Sequence, residues 1–137
     1  MAKNQTAPTT ETVESFLNGV QDPKRRADAI ELCALMTTAT GATPTMWGSS
    51  IIGFGTHAYR YETGRTGVTV AVGLSPRKQA LVLYGLLCGT EWVAELGCLG
   101  PHTVGKGCVY IKSLATINHT TLSGMVTTAY ALLNTAP

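Results

Sequence analysis

Gly73-Leu74-Ser75-Pro76-Arg77-Lys78-Gln79-Ala80-Leu81-Val82-Leu83-Tyr84-Gly85 decides how this chain is read, together with Gly105-Lys106-Gly107-Cys108-Val109-Tyr110-Ile111-Lys112-Ser113-Leu114. Each is an apolar, strand-like run introduced by a small-residue turn that carries cations. Ser75-Pro76-Arg77-Lys78 has type I turn chemistry, with Ser at the first position and Pro at the second. It predicts a hairpin into a strand at 80–84, with Arg77 and Lys78 at or beside its tip. In the second stretch Cys108, Tyr110 and Lys112 alternate with Val109 and Ile111, so the two sets take opposite faces of a strand.

Working upstream, Val68, Val70, Val72 and Leu74 alternate with small or polar residues and predict a half-buried strand. His57, Tyr59 and Tyr61 share one face of another. Residues 46–55 read as an irregular strand whose glycines suggest a bulge or a close backbone approach. Before the strands lie two helical patterns. Thr10 or Thr12 caps the first, where Val13, Phe16, Leu17 and Val20 form an apolar stripe. Asp22-Pro23 starts the second, with Asp as N-cap and Pro at the first helical position; it is expected to run to Thr40 and stop at Gly41. Arg25 and Arg26 fall in its first turn, where the dipole disfavours cations, and are expected to be solvated and paired with carboxylates elsewhere.

Downstream, 90–96 predicts one or two helical turns, followed by a glycine-rich loop at 97–107. Asn118 is a good N-cap for a last helix with the stripe Leu122, Met125, Val126, Ala129, Leu132 and Leu133, and Ile117 with Leu122 fits a hydrophobic staple. The order of elements predicts an α+β fold. It consists of two N-terminal helices, a mostly antiparallel five-stranded sheet, a short helix before the last strand, and a C-terminal helix. Residues 1–11 read as a flexible tail and 12–137 as a single domain, which suits 137 residues.

Composition narrows the function classes. Ten Lys/Arg against eight Asp/Glu leave a net charge of only +2, without the clustered basic stripe that nucleic-acid binding requires. No window approaches the roughly 18 apolar residues of a membrane span. No secretory signal is evident, and the four cysteines have irregular spacing, so a cytoplasmic protein with reduced thiols is expected. Charged residues are 13%, about half the usual share, which makes a homodimer plausible because a partner subunit would cover part of the surface.

The chain also resembles a known family. Trp47-Gly48-x-Ser50-Ile51, Gly53-Phe54-Gly55, Tyr59-x-Tyr61 with Gly64-Arg65, Ser75-Pro76-Arg77-Lys78, Leu83-Tyr84 and Gly105-Lys106-x-Cys108-x-Tyr110-Ile111-Lys112-x-Leu114 resemble the YdhG-like domain family of unknown function. The resemblance covers about 12–133. It implies a small intracellular α+β protein, and one relative is described as a frataxin-like iron chaperone. The loop at 96–103 looks slightly longer than the family pattern.

Three site readings follow from the residues. The first is a groove for a small anionic ligand. Arg77, Lys78 and Lys106 place cations at strand ends, and Trp47, Tyr61 and Tyr110 supply walls, with Arg60, Tyr59 and Lys112 as further partners from neighbouring strands. No phosphate-loop pattern is present. The second is metal binding. Cys98, His102 and Cys108 lack the paired close spacing of a zinc site, and the acids Glu11, Glu14, Asp28 and Glu31 approach one another only if the first two helices pair. No metal ligand and no cofactor is assigned. The third is an enzyme using Cys108 as nucleophile, activated by Lys106 and Lys112. No Asn/Asp–His pair can be placed beside it, so the sequence favours a binding module over an enzyme.

Overall fold

The computed structural model describes residues 12–48, 50–60, 66–87, 93–105 and 108–134. The expected tail at 1–11 lies outside them. Helices α1 (Val13–Asn18) and α2 (Pro23–Thr40) come first, then β1 (Thr45–Trp47), β2 (Ile51–Arg60), β3 (Thr66–Pro76) and β4 (Leu81–Tyr84). After these come α3 (Val93–Leu99), β5 (Thr103–Val104), β6 (Cys108–Ile111), a 3-10 turn (Leu114–Thr116) and α4 (His119–Leu133). The fold is α+β.

Local chemistry sets the helix ends as the sequence predicts. Thr12 accepts from Ser15 N, Asp22 from Arg25 N and Asn118 from Thr121 N. Gly41 closes α2 at φ 72°, a left-handed position that costs glycine no Cβ clash. Arg25 and Arg26 depart from expectation. Both are half-buried and donate to backbone carbonyls, Arg25 Nη1 to Lys112 O at 3.0 Å and Arg26 Nη1 to Val20 O at 2.7 Å. They tie chain segments together, and neither pairs with a carboxylate among the described residues.

The sheet has six strands, not five, in the order β1-β2-β3-β4-β6-β5, with every neighbouring pair antiparallel. The sixth strand is β5, a two-residue edge strand contributed by the glycine-rich loop. The expected strand at 46–55 also turns back on itself after Gly48 (φ 64°), so that Trp47 pairs with Ile51, and its second half runs on through Gly55 into the strand expected from His57, the two together forming β2. The β3–β4 connection is displaced as well. Pro76 is still in strand and pairs with Leu81, and the turn spans 77–80, with Arg77 N donating to Ala80 O at 2.9 Å. Pro76 is tolerated because β2 pairing ends at Ile52↔Leu74, so its missing N–H faces no neighbouring strand.

One face of the sheet carries the core. Ile52, Phe54, Val72, Leu74, Leu81, Leu83, Val109 and Ile111 pack against Leu32 and Met36 of α2 and Leu122, Met125 and Val126 of α4. Asp28 is buried beside this layer. Its Oδ2 accepts from Lys24 Nζ at 2.7 Å and from Leu114 N at 3.1 Å, joining α2 to the 3-10 turn that follows β6. The pleat sends Trp47, Ser75, Val82, Tyr84, Cys108 and Tyr110 to the opposite face.

Candidate functional site

The strand order decides which predicted residues meet. β4 lies between β3 and β6, so the β3–β4 turn stands beside the end of β6. Arg77, Lys78, Val82, Thr103, Tyr110 and Lys112 line a groove of about 630 Å³ on the face away from the core. Ala80 and Val82, both buried, form its floor. Tyr110 forms a wall and Thr103 of β5 an edge. Arg77, Lys78 and Lys112 are exposed, and none of the three has a carboxylate partner among the described residues.

Two of these side chains are held in place. Arg77 Nη2 donates to Tyr84 Oη at 2.6 Å, which draws the guanidinium back over the sheet. The Tyr110 ring lies against Gly105: a Cβ there would come within 2.7 Å of Tyr110 Cε1. Glycine at 105 therefore makes room for the wall of the groove, a role its sequence context reveals only once β5 and β6 are paired. Next to Val82, its register partner Ser75 is fully buried, and its Oγ has no hydrogen-bond partner among the described residues.

The predicted site residues divide into three sets. Arg77, Lys78 and Tyr110 come together, joined by Lys112. Trp47 does not join them. It sits on β1 at the far edge of the sheet, 3% exposed, with its indole over Gly53, beside a separate cavity of about 360 Å³. Tyr61 and Lys106 lie outside the described residues, as do the side chains of Tyr59 and Arg60. Thr103 and Ala80 were missed by the sequence reading. Neither carries charge or aromaticity, so only its position in the sheet marks it.

The thiol chemistry is also legible. Cys108 pairs with Tyr84 across β4 and β6. Burial pushes its thiol up, against the hydrogen bond with Tyr110 and the Arg77 charge, which pull it down. Burial raises the Tyr84 phenol as well, opposed by Arg77. A nucleophilic cysteine needs the opposite balance, with the thiolate favoured at neutral pH. As for metals, no group of three or more His, Cys, Asp or Glu side chains comes together among the described residues. Asp28, one of the acids considered for such a patch, is instead committed to Lys24 and Leu114 N. No helix among the described residues is long and apolar enough to cross a membrane.

Fold and groove together define a small α+β protein with helices on one face of an antiparallel sheet and a cation-lined groove on the other. Compared with protein-family models, curated proteins and solved structures, the chain matches none.

Proposed function

We propose that this chain is a YdhG-like binding module for a small anionic ligand, seated in the groove between the β3–β4 turn and the end of β6. The observation that carries the reading is the convergence of Arg77, Lys78 and Lys112 on one groove without a carboxylate among the described residues that line it. Like charges gathered without counter-charges repel one another, and a bound anion relieves that repulsion. The Arg77 guanidinium keeps further N–H donors beyond the one given to Tyr84, so it can still address an anion. The family part of the proposal rests on the motifs quoted above.

Calorimetric titration of the full chain with inorganic phosphate tests the reading. Saturable binding that weakens with rising salt is the expected result. Lys78→Ala and Lys112→Ala should each weaken it about tenfold, the scale of one lost charge-assisted hydrogen bond. Binding that neither substitution alters would place the anion elsewhere and sink the proposal.

A further inference from the structure

The groove does not end at its cations. Ala80, Thr103, Tyr110 and Lys112 also line a second cavity of about 430 Å³, completed by Pro101, His102, Ser113 and Thr116. The two spaces share a wall and differ in chemistry. The first holds Arg77, Lys78 and Lys112. The second is walled mostly by carbon, with Pro101 and Tyr110 among its lining residues, and meets the first at Lys112. His102 Nδ1 lies 2.8 Å from Gly100 O. A carbonyl only accepts, so Nδ1 carries the hydrogen.

We infer that the ligand is a phosphate monoester with an apolar body about one ring in size. Its phosphate sits among Arg77, Lys78 and Lys112, and its ring enters the second lobe between Tyr110 and Pro101. This names the ligand class for the anion groove and rests on that reading. Three arguments support it. Three cations with no carboxylate among the described lining residues suit a head of more than one charge, and a phosphate monoester carries roughly −1.5 to −2 with three acceptor oxygens. A bare anion would leave the adjoining apolar lobe in water, whereas a ring removes that surface from water. The second lobe is also within the roughly 300–1,000 Å³ of small-molecule sites, large enough for a ring.

The test compares inorganic phosphate, phenyl phosphate and benzoate by calorimetry on the full chain at one ionic strength. Phenyl phosphate should bind roughly ten- to a hundredfold more tightly than phosphate, the gain expected from burying one ring. Thr116→Trp, at an exposed position, should fill the second lobe, remove that gain and leave phosphate affinity unchanged. Pro101→Trp, also exposed, serves if Thr116→Trp does not fold. Equal affinity for phosphate and phenyl phosphate overturns this inference and leaves the anion site standing. A gain that survives in a folded tryptophan variant overturns the placement of the ring. Benzoate binding as tightly as phenyl phosphate overturns the phosphate head. No binding of phosphate or phenyl phosphate overturns the anion groove and this inference together.

Discussion

Arg77 spans the β3–β4 hairpin to donate from Nη2 to the Tyr84 hydroxyl at 2.6 Å. An arginine at a turn would otherwise extend into solvent. Here Tyr84 of the next strand, on the same face of the sheet, holds it back over the sheet. Tyr84 thus acts as a positioning residue, and losing its hydroxyl should release the guanidinium. Tyr84→Phe is expected to weaken phosphate binding roughly three- to tenfold, the scale of one net hydrogen bond. In an Arg77→Ala background the same change should have no further effect, and a double-mutant cycle on phosphate affinity checks this.

The phenol itself gives a second observable. Burial raises its pKa, and the Arg77 charge opposes that shift. In an ultraviolet titration one tyrosine should ionise above the ordinary value of about 10. Tyr84→Phe should remove that component. Arg77→Ala should move it to still higher pH, because the opposing charge is gone. A shift to lower pH would contradict the geometry.

Cys33 and Cys108 are both raised by burial, whereas Cys98 is exposed. At neutral pH iodoacetamide should label Cys98 faster than Cys108, and Cys33 only on unfolding, as read by peptide mass spectrometry. The same shifts set an alkaline limit. In the unfolded chain these thiols ionise near their ordinary value of about 8.5, before they do in the folded protein. Their contribution to stability is therefore full below about pH 8.5 and is lost as pH rises through the higher folded values. Urea midpoints measured from pH 7 upward should decline there, and less so in Cys108→Ala.

Trp47 rests on Gly53, where a Cβ would approach the indole Cδ1 to 2.5 Å and Val70 Cγ1 to 2.4 Å. Gly53→Ala should displace the indole and destabilise the fold by about 1–3 kcal/mol, the usual range for overpacking. In a Trp92→Phe background the remaining emission should shift to the red. Phosphate affinity should be unaffected, because this edge of the sheet lies apart from the groove.

Two buried polar side chains make opposite predictions. Asp28 is satisfied by Lys24 and Leu114 N, so Asp28→Ala leaves a buried N–H unpaired and should cost about 2–3 kcal/mol. Ser75 is buried with its Oγ unpaired, so Ser75→Ala should raise stability by about 1 kcal/mol. Denaturant unfolding of both variants measures the two signs.

Much of this was readable along the chain. Thr12, Asp22-Pro23, Gly41 and Asn118 mark helix ends because capping is settled within a few residues. The alternation from Cys108 to Lys112 assigns two faces because a strand has a period of two. The turn was harder to place. The Ser-Pro signature put it at 75–78, whereas strand pairing carries β3 through Pro76 and moves the turn to 77–80. The two-residue strand β5 was missed because Thr103 and Val104 are too few to show a period.

The sequence alone determined α1, α2 and α4, the faces of the strands and the presence of cations at the β3–β4 turn and the end of β6, whereas α3, expected at 90–96, runs from Val93 to Leu99. Each of these depends on residues a few positions apart. Only the tertiary structure decided that Arg77 and Lys78 meet Lys112 and Tyr110, that Thr103 closes the groove, and that Trp47 stands at the other edge. Those relations follow from the order β1-β2-β3-β4-β6-β5. That order is chosen by how β1, β2, β3, β4 and β6 bury one apolar face beneath α2 and α4, a condition that no local stretch carries by itself.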